Sequence, residues 1–293
     1  MEFSLGIDIG GSHISGAIVN SDTGEIIIDS YREQPIDPLG PKEEILLIWT
    51  EFFRTFLQNN KDKKIQTIGF AMPGPFDYEN GIASFEGVPK YNSLKGVNVR
   101  EYLKNNLPDG QNLHIIFKND ATAFAVGEYR FGAAQNIDRV WILTLGTGFG
   151  STFLVKGTPT FSGPGMPEGG YLYYQPFREG IAEESLSTRW FENTWHKLSG
   201  KTIKGVKPLA DLYAQGNEEA KQLFDDFAQN LASFLAPWLT STKARGVVIG
   251  GGITKAWEYF APMTEAHLQS AGLDIILRKG TLGKYAPIIG AIS

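Results

Sequence analysis

The sequence predicts an α/β protein of two lobes with a cleft between them. Three observations carry that reading. The chain has 293 residues, more than a single core usually organises. A strand, a glycine turn with a hydroxyl residue, and a returning strand occur once near residue 10 and again near residue 147. Apolar strand candidates alternate with long helical periodicities along the rest of the chain.

Residues 3–9 read as a strand, Gly10-Gly11-Ser12 as a tight turn and residues 14–19 as the returning strand. Asp22-Thr23-Gly24 then turns the chain into a third strand, 25–28, completing an antiparallel meander. Pro41 sits in the first turn of a helix running to about residue 60. In that helix Ile45, Leu46, Ile48, Trp49, Phe52, Phe53, Phe56 and Leu57 recur at three- and four-residue spacing, a core-facing stripe. Residues 65–71 read as a buried strand ending at Pro73-Gly74. The polar, turn-rich stretch 81–96 reads as a loop that faces something. A short helix, 99–107, and a strand, 113–117, follow.

A second half begins near Asn119. It opens with a helix, 120–131, then a strand, 140–145, the turn Gly146-Thr147-Gly148-Phe149-Gly150, and a strand, 151–155. Helices at 183–199 and 217–240 precede a strand, 247–249, which runs into Gly250-Gly251-Gly252 and a helix from Thr254. The expected lobes are therefore 1–118 and 119–293, with the closing residues free to pack back on the first.

Net charge is −5, from 27 basic and 32 acidic residues without a Lys/Arg run, so the footprint needed to hold nucleic acid is missing. There is no cysteine, which removes disulfides, thiolate zinc sites and Cys nucleophiles together. Met1 to Leu5 show no basic segment followed by an apolar stretch, and no apolar run approaches the ~20 residues of a membrane span. The expectation is a cytoplasmic protein with neither membrane nor nucleic acid as partner.

A glycine turn exposes successive backbone N–H groups with little side-chain bulk, a concavity suited to phosphate. The first such turn follows Asp8, a carboxylate able to hold Mg2+ through water. Singly, each turn reads as a plain hairpin. Neither is a Walker A loop, because the Lys-Ser/Thr ending is absent and a strand follows. Gly250 to Gly252, between a strand and a helix start, is either a packing turn or a place where nucleotide approaches the backbone.

Asp8-Ile-Gly-Gly-Ser12, Asn119-Asp120-Ala-Thr-Ala, Leu145-Gly-Thr-Gly-Phe-Gly150 and Val248-Ile-Gly-Gly-Gly252 resemble, in order and spacing, the motifs of the ROK (repressor, open reading frame, kinase) sugar kinases. The segment from Leu282-Gly283 to Ile289-Gly290-Ala291 is similar to that family's C-terminal signature, so the resemblance covers nearly the whole chain. It implies the actin-like, ribonuclease H-like ATPase fold, a sugar and ATP as ligands, Mg2+, and a homodimer. It further implies a first phosphate motif at Asp8, Gly10, Gly11, Ser12 and His13, a second at Gly146, Thr147 and Gly148, and an adenosine motif at Gly250, Gly251 and Gly252. Asn119 resembles the sugar-binding asparagine, Asp120 the catalytic base, and Glu168 and Glu183 the two sugar-binding glutamates. Tyr171 stands where the family has a His that touches both sugar and zinc, and with no cysteines no zinc site is expected. Thr122 stands where Asn is common and Ser12 where Thr is common.

From spacing alone Asn119-Asp120 reads as a helix cap; within the full motif set Asp120 reads as the base, and one residue can cap while the other works. Glu168 lies in a Gly/Pro-rich loop, where function concentrates; Glu183 competes with its neighbour Glu184. The reading as a whole is ATP-dependent phosphorylation of a hexose hydroxyl, with Asp120 as general base. The alternatives are polyphosphate as donor, an N-acetyl amino sugar or fructose as acceptor, a non-catalytic sugar-binding regulator, and an ATPase acting on protein conformation.

Overall fold

The computed structural model describes residues 2–293. In chain order the elements are β1 (Phe3–Ile9), β2 (His13–Asn20), β3 (Arg32–Pro35), α1 (Lys42–Asn59), β4 (Thr67–Met72), β5 (Phe76–Asp77), β6 (Ile82–Ala83), α2 (Val99–Asn106), β7 (His114–Asn119) and α3 (Asp120–Phe131). Then come β8 (Arg139–Leu145), β9 (Phe149–Val155), β10 (Thr158–Thr160), β11 (Pro176–Phe177), β12 (Gly180–Ile181), α4 (Ala182–Leu186), α5 (Thr188–Ser199), α6 (Lys207–Ala214) and α7 (Glu218–Thr242). The chain closes with β13 (Gly246–Gly250), α8 (Trp257–Ser270), β14 (Ile276–Lys279) and α9 (Ala286–Ala291).

Two compact units result, Met1–Gly132 with Lys284–Ser293, and Ala133–Gly283. The division lies after α3, whereas the sequence suggested 118/119. Helix α3 stays with the first unit because its small residues let α9 approach at backbone distance. A Cβ placed on Gly290 would stand 1.7 Å from the Ala123 carbonyl oxygen, and one on Gly127 would stand 2.3 Å from that of Ala286.

The first unit holds a sheet in the order β3-β2-β1-β4-β7. Strand β1 runs antiparallel to β2 and parallel to β4, so it is flanked on both edges and its residues are almost uniformly buried. Helix α1 covers the sheet with Trp49, Phe53 and Phe56, part of a core that includes Leu5, Ile7, Ile68 and Phe70. The predicted third strand at 25–28 does not form. Ile26 makes a single bridge to Val19, and the Ser30 hydroxyl accepts the Ile18 N–H at 2.8 Å, occupying a ladder position with a side chain. The chain re-enters the sheet only at β3, pairing with residues 13–16 of β2.

The second unit repeats the plan in the order β10-β9-β8-β13-β14. Its core is aromatic, with Phe191, Phe224, Phe227 and Phe260 beneath the sheet and Phe191 and Phe227 ring centroids 4.6 Å apart. The helix expected over 183–199 is two helices, interrupted at Ser187, whose backbone is extended (φ −118°, ψ 173°). The next N–H, of Thr188, donates instead to the Gly146 carbonyl at 2.8 Å. After β13 the expected helix from Thr254 is delayed. Gly252–Ala256 forms a 3-10 turn, and α-helical geometry starts at Trp257. Among the described residues no helix is long and apolar enough to cross a membrane.

Candidate functional site

In the first unit the turn after β1 brings three chemistries together. Gly10 N–H donates to the His13 carbonyl at 2.9 Å, closing the turn, and Ser12 Oγ lies 2.7 Å from His13 Nδ1 at the exposed tip. Asp8, one residue before the end of β1, pairs with Ala71 of β4, and β4 in turn pairs with β7, which ends at Asn119. The parallel ladder thus sets Asp8 near Asp120. The Asp8 carboxyl is pushed up to about 7, first by burial and then by the negative charges of Asp120 and Glu33.

Asn119 and Asp120 divide their work. The Asn119 Oδ1 accepts the Thr122 N–H at 3.2 Å, which is the N-cap of α3, while its Nδ2 donates to Tyr78 Oη at 3.3 Å. Asp120 accepts the Ala121 N–H at 2.8 Å and keeps solvent access. Even so, the protein around it thins its water shell, and this desolvation raises its carboxyl above the ordinary range. The Ala121 N–H, the Asn119 amide and the Lys90 ammonium pull the other way.

Two residues of the 81–96 loop join this group, and sequence spacing does not mark either one. The Tyr91 hydroxyl donates to the Gly10 carbonyl at 2.5 Å. Lys90 extends over the turn, its Nζ standing 2.3 Å from the point where a Cβ on Gly11 would lie. The only sequence signal was a polar loop with a function to explain.

In the second unit the turn Gly146–Gly148 meets the other two predicted segments. Glu183 Oε2 accepts the Phe149 N–H at 3.1 Å and lies 3.0 Å from the point where a Cβ on Gly148 would stand. Its other oxygen pairs with Arg189, at 2.5 Å from Nη2. Glu184 turns away and accepts the Ile181 N–H at 3.2 Å, so the two neighbouring glutamates are separated by their partners. Gly252 N lies 3.7 Å from the Cβ point of Gly146, which makes the third glycine segment adjacent to the second turn. Gly251 has φ +89°, and a Cβ there would meet the Leu145 carbonyl oxygen at 2.4 Å, so only glycine fits.

The loop carrying Glu168 is fastened by its own backbone. Tyr174 Oη donates to the Glu168 carbonyl, and Gln175 Nε2 donates to the carbonyls of Glu168 and Tyr171 at 3.3 and 3.0 Å. This leaves the Glu168 side chain exposed. Tyr171 belongs to an aromatic run, 5.5 Å from Phe161 and 6.3 Å from Tyr173 by ring centroids. The Tyr173 carbonyl accepts the Glu183 N–H at 2.9 Å, which ties that run to Glu183. Among the described residues no group of three or more His, Cys, Asp or Glu is placed to hold a metal ion.

The sequence matches the ROK family over residues 4–293. The chain belongs to that family. It is 28% identical over 284 residues to a glucokinase of Thermotoga maritima, covering 89% of this chain and 86% of that protein. It is 26% identical over 314 residues to an N-acetyl-D-glucosamine kinase of Haemophilus influenzae, covering 98% of this chain and 97% of that one. The fold matches the ROK hexokinase of Thermus thermophilus with a TM-score of 0.78 at 22% identity, over 99% of this chain and 96% of that chain. It also matches a ROK glucokinase of Streptomyces griseus in complex with glucose and AMPPNP, with a TM-score of 0.77 at 20% identity over 99% and 98%. The two-sheet α/β architecture is the actin-like ATPase fold of these ROK structures.

Proposed function

We propose that this ROK protein phosphorylates a hexose hydroxyl with ATP, Asp120 acting as general base. The observation that supports it is the placement in the first unit of Asp8 and Asp120 beside the Gly10–Gly11 turn, two neighbouring carboxyls raised chiefly by desolvation. A carboxylate of raised pKa is a better proton acceptor near neutral pH. As the sugar oxygen attacks the γ-phosphorus, Asp120 takes its proton and the bond from phosphorus to the bridging oxygen breaks, releasing ADP. Asn119, held at the helix cap, and Glu168 and Glu183 supply polar groups for the sugar hydroxyls. The second unit offers the turn Gly146–Gly148 for phosphate, where the Gly146 N–H is held by the Gly148 carbonyl at 3.0 Å, and the segment Gly250–Gly252 for the adenosine.

Asp8 suits Mg2+. Its donor is a hard oxygen, and its carboxyl is raised first by desolvation and then by the neighbouring negative charges of Asp120 and Glu33. Bound there through water, the ion would offset charge on the donor phosphates.

The two relatives named above are a glucokinase and an N-acetyl-D-glucosamine kinase, so the acceptor is tested on both sugars. A coupled assay across hexoses and N-acetyl amino sugars, with ATP or polyphosphate and with or without Mg2+, is expected to give a sugar phosphate with ATP and Mg2+. No product with any pair, together with sugar binding by calorimetry, would replace the kinase by a sugar-binding regulator. Within an active pair, Asp120→Ala should lower kcat about 100-fold or more while calorimetry still shows sugar binding. Near-normal turnover in that variant would remove Asp120 as the base.

A further inference from the structure

We infer that Lys90 is a catalytic residue of this chain, its ammonium contacting the phosphoryl group during transfer. The inference rests on the kinase reading above.

The Lys90 Nζ, Cε and Cδ lie 2.3, 2.9 and 3.3 Å from the Cβ point of Gly11, so the side chain lies across a glycine that has no side chain of its own. Residue 11 being glycine leaves both the turn's backbone and the space above it open to a lysine and to an anion. An ammonium beside a glycine turn would meet a phosphate from a second direction, and lysine serves there as a point charge.

The loop is anchored beside Lys90's position over the turn. Tyr91 is fully buried, adopts a left-handed backbone (φ 59°), and donates its N–H to the Pro38 carbonyl at 2.6 Å. Its ring centroid lies 5.7 Å from that of Trp49 and 5.5 Å from that of Phe85, and its hydroxyl holds the Gly10 carbonyl. The residue next to Lys90 is therefore pinned both to the core and to the turn itself.

Lys90 is exposed and is in no ion pair among the described residues, although it lies close enough to Asp120 to favour that residue's ionised form. A surface lysine that only solvates the loop would not need its neighbour to clamp it over a phosphate turn. In the reaction the sugar oxygen bonds to phosphorus, the bridging oxygen departs with ADP, and the hydroxyl proton goes to Asp120. Lys90 keeps its own protons and opposes the charge on the phosphoryl oxygens, which are spread widest in the transition state.

Lys90→Met keeps the aliphatic stem over Gly11 and removes only the charge; Lys90→Arg restores a charge. With the best hexose and ATP, Lys90→Met is expected to lose about 100-fold in kcat, with the hexose KM within threefold of wild type, and Lys90→Arg to recover at least tenfold of that loss. Circular dichroism checks the fold of each, and Lys90→Gln replaces Lys90→Met should the latter misfold. Turnover within threefold of wild type in the uncharged variant would overturn the inference. So would a rise in KM matching the fall in kcat/KM, or a failure of Lys90→Arg to exceed Lys90→Met. A wild type that phosphorylates no sugar is a different result: it brings down the kinase reading and this inference with it, whereas an active wild type with an indifferent Lys90 brings down the inference alone.

Discussion

Both units order their five strands as third, second, first, fourth and fifth, and in both the first strand turns at glycines into the second. Yet the residue one place before the end of that first strand is Asp8 in one unit and Thr144 in the other. Asp8 pairs across the ladder with Ser15 and Ala71, and Thr144 pairs with Gly150 and Gly250. The same frame therefore carries a carboxyl in one copy and a hydroxyl in the other. The acid–base groups and the cation Lys90 gather in the first unit. In the second, the carboxylate nearest the turn, Glu183, is already neutralised by Arg189 and a backbone N–H. Duplicated architecture supplies two glycine turns, and the side chains around them differ.

The helix pair that closes the first unit gives the largest expected effect. Gly290→Ala puts a methyl 1.7 Å from a backbone oxygen of α3, which cannot rotate away as a side chain can, and should cost about 3 kcal/mol in denaturant unfolding. Gly252→Ala, whose Cβ would meet nothing within 4 Å, should cost far less. Equal losses would mean that α9 is not held to α3 as described.

Next is the strand position that distinguishes the units. Asp8→Asn should lower kcat about 100-fold, whereas Thr144→Val should leave it within a few-fold, as measured in the same coupled assay. The same substitution tests the buried charge. With its folded pKa raised from 3.8 to about 7, Asp8 holds a proton in the native state that the unfolded chain has already released. Folding stability is then largest below the unfolded value and falls as pH rises through that window, at roughly 1.4 kcal/mol per pH unit at most. Asp120, raised by burial, adds to the slope in the same direction. Thermal melts of Asp8→Asn should lie above wild type at pH 8, and the gap should close toward pH 4; a gap independent of pH would mean Asp8 titrates normally.

The smallest effect separates two adjacent residues. Glu183→Gln should raise the hexose KM about tenfold by losing the pair with Arg189, while Glu184→Gln, which bonds only to the 181 N–H, should change it less than twofold. The reverse order would exchange their roles.

What was legible from residues alone is chemistry that acts within a few positions. Gly10–Gly11 and Gly146–Gly148 declare turns because glycine tolerates backbone that side chains resist, and Asn119 declares a helix start because its amide reaches the N–H three residues on. The third strand was misplaced because a buried serine competes with the ladder for a single N–H, and a propensity pattern does not register that. The helix at 183–199 broke because one of its N–H groups answers a carbonyl forty residues earlier in the chain.

The amino-acid order by itself determined the central strands, the two turns and the candidate acids, since strand periodicity and turn chemistry are local and survive without neighbours. Only the tertiary structure brought Asp8 to Asp120 through a third strand, laid Lys90 across Gly11, and gave Glu183 and Glu184 different partners. Those outcomes depend on parallel pairing, burial and backbone approach between residues far apart in the chain, where desolvation and charge reach across space rather than along the sequence.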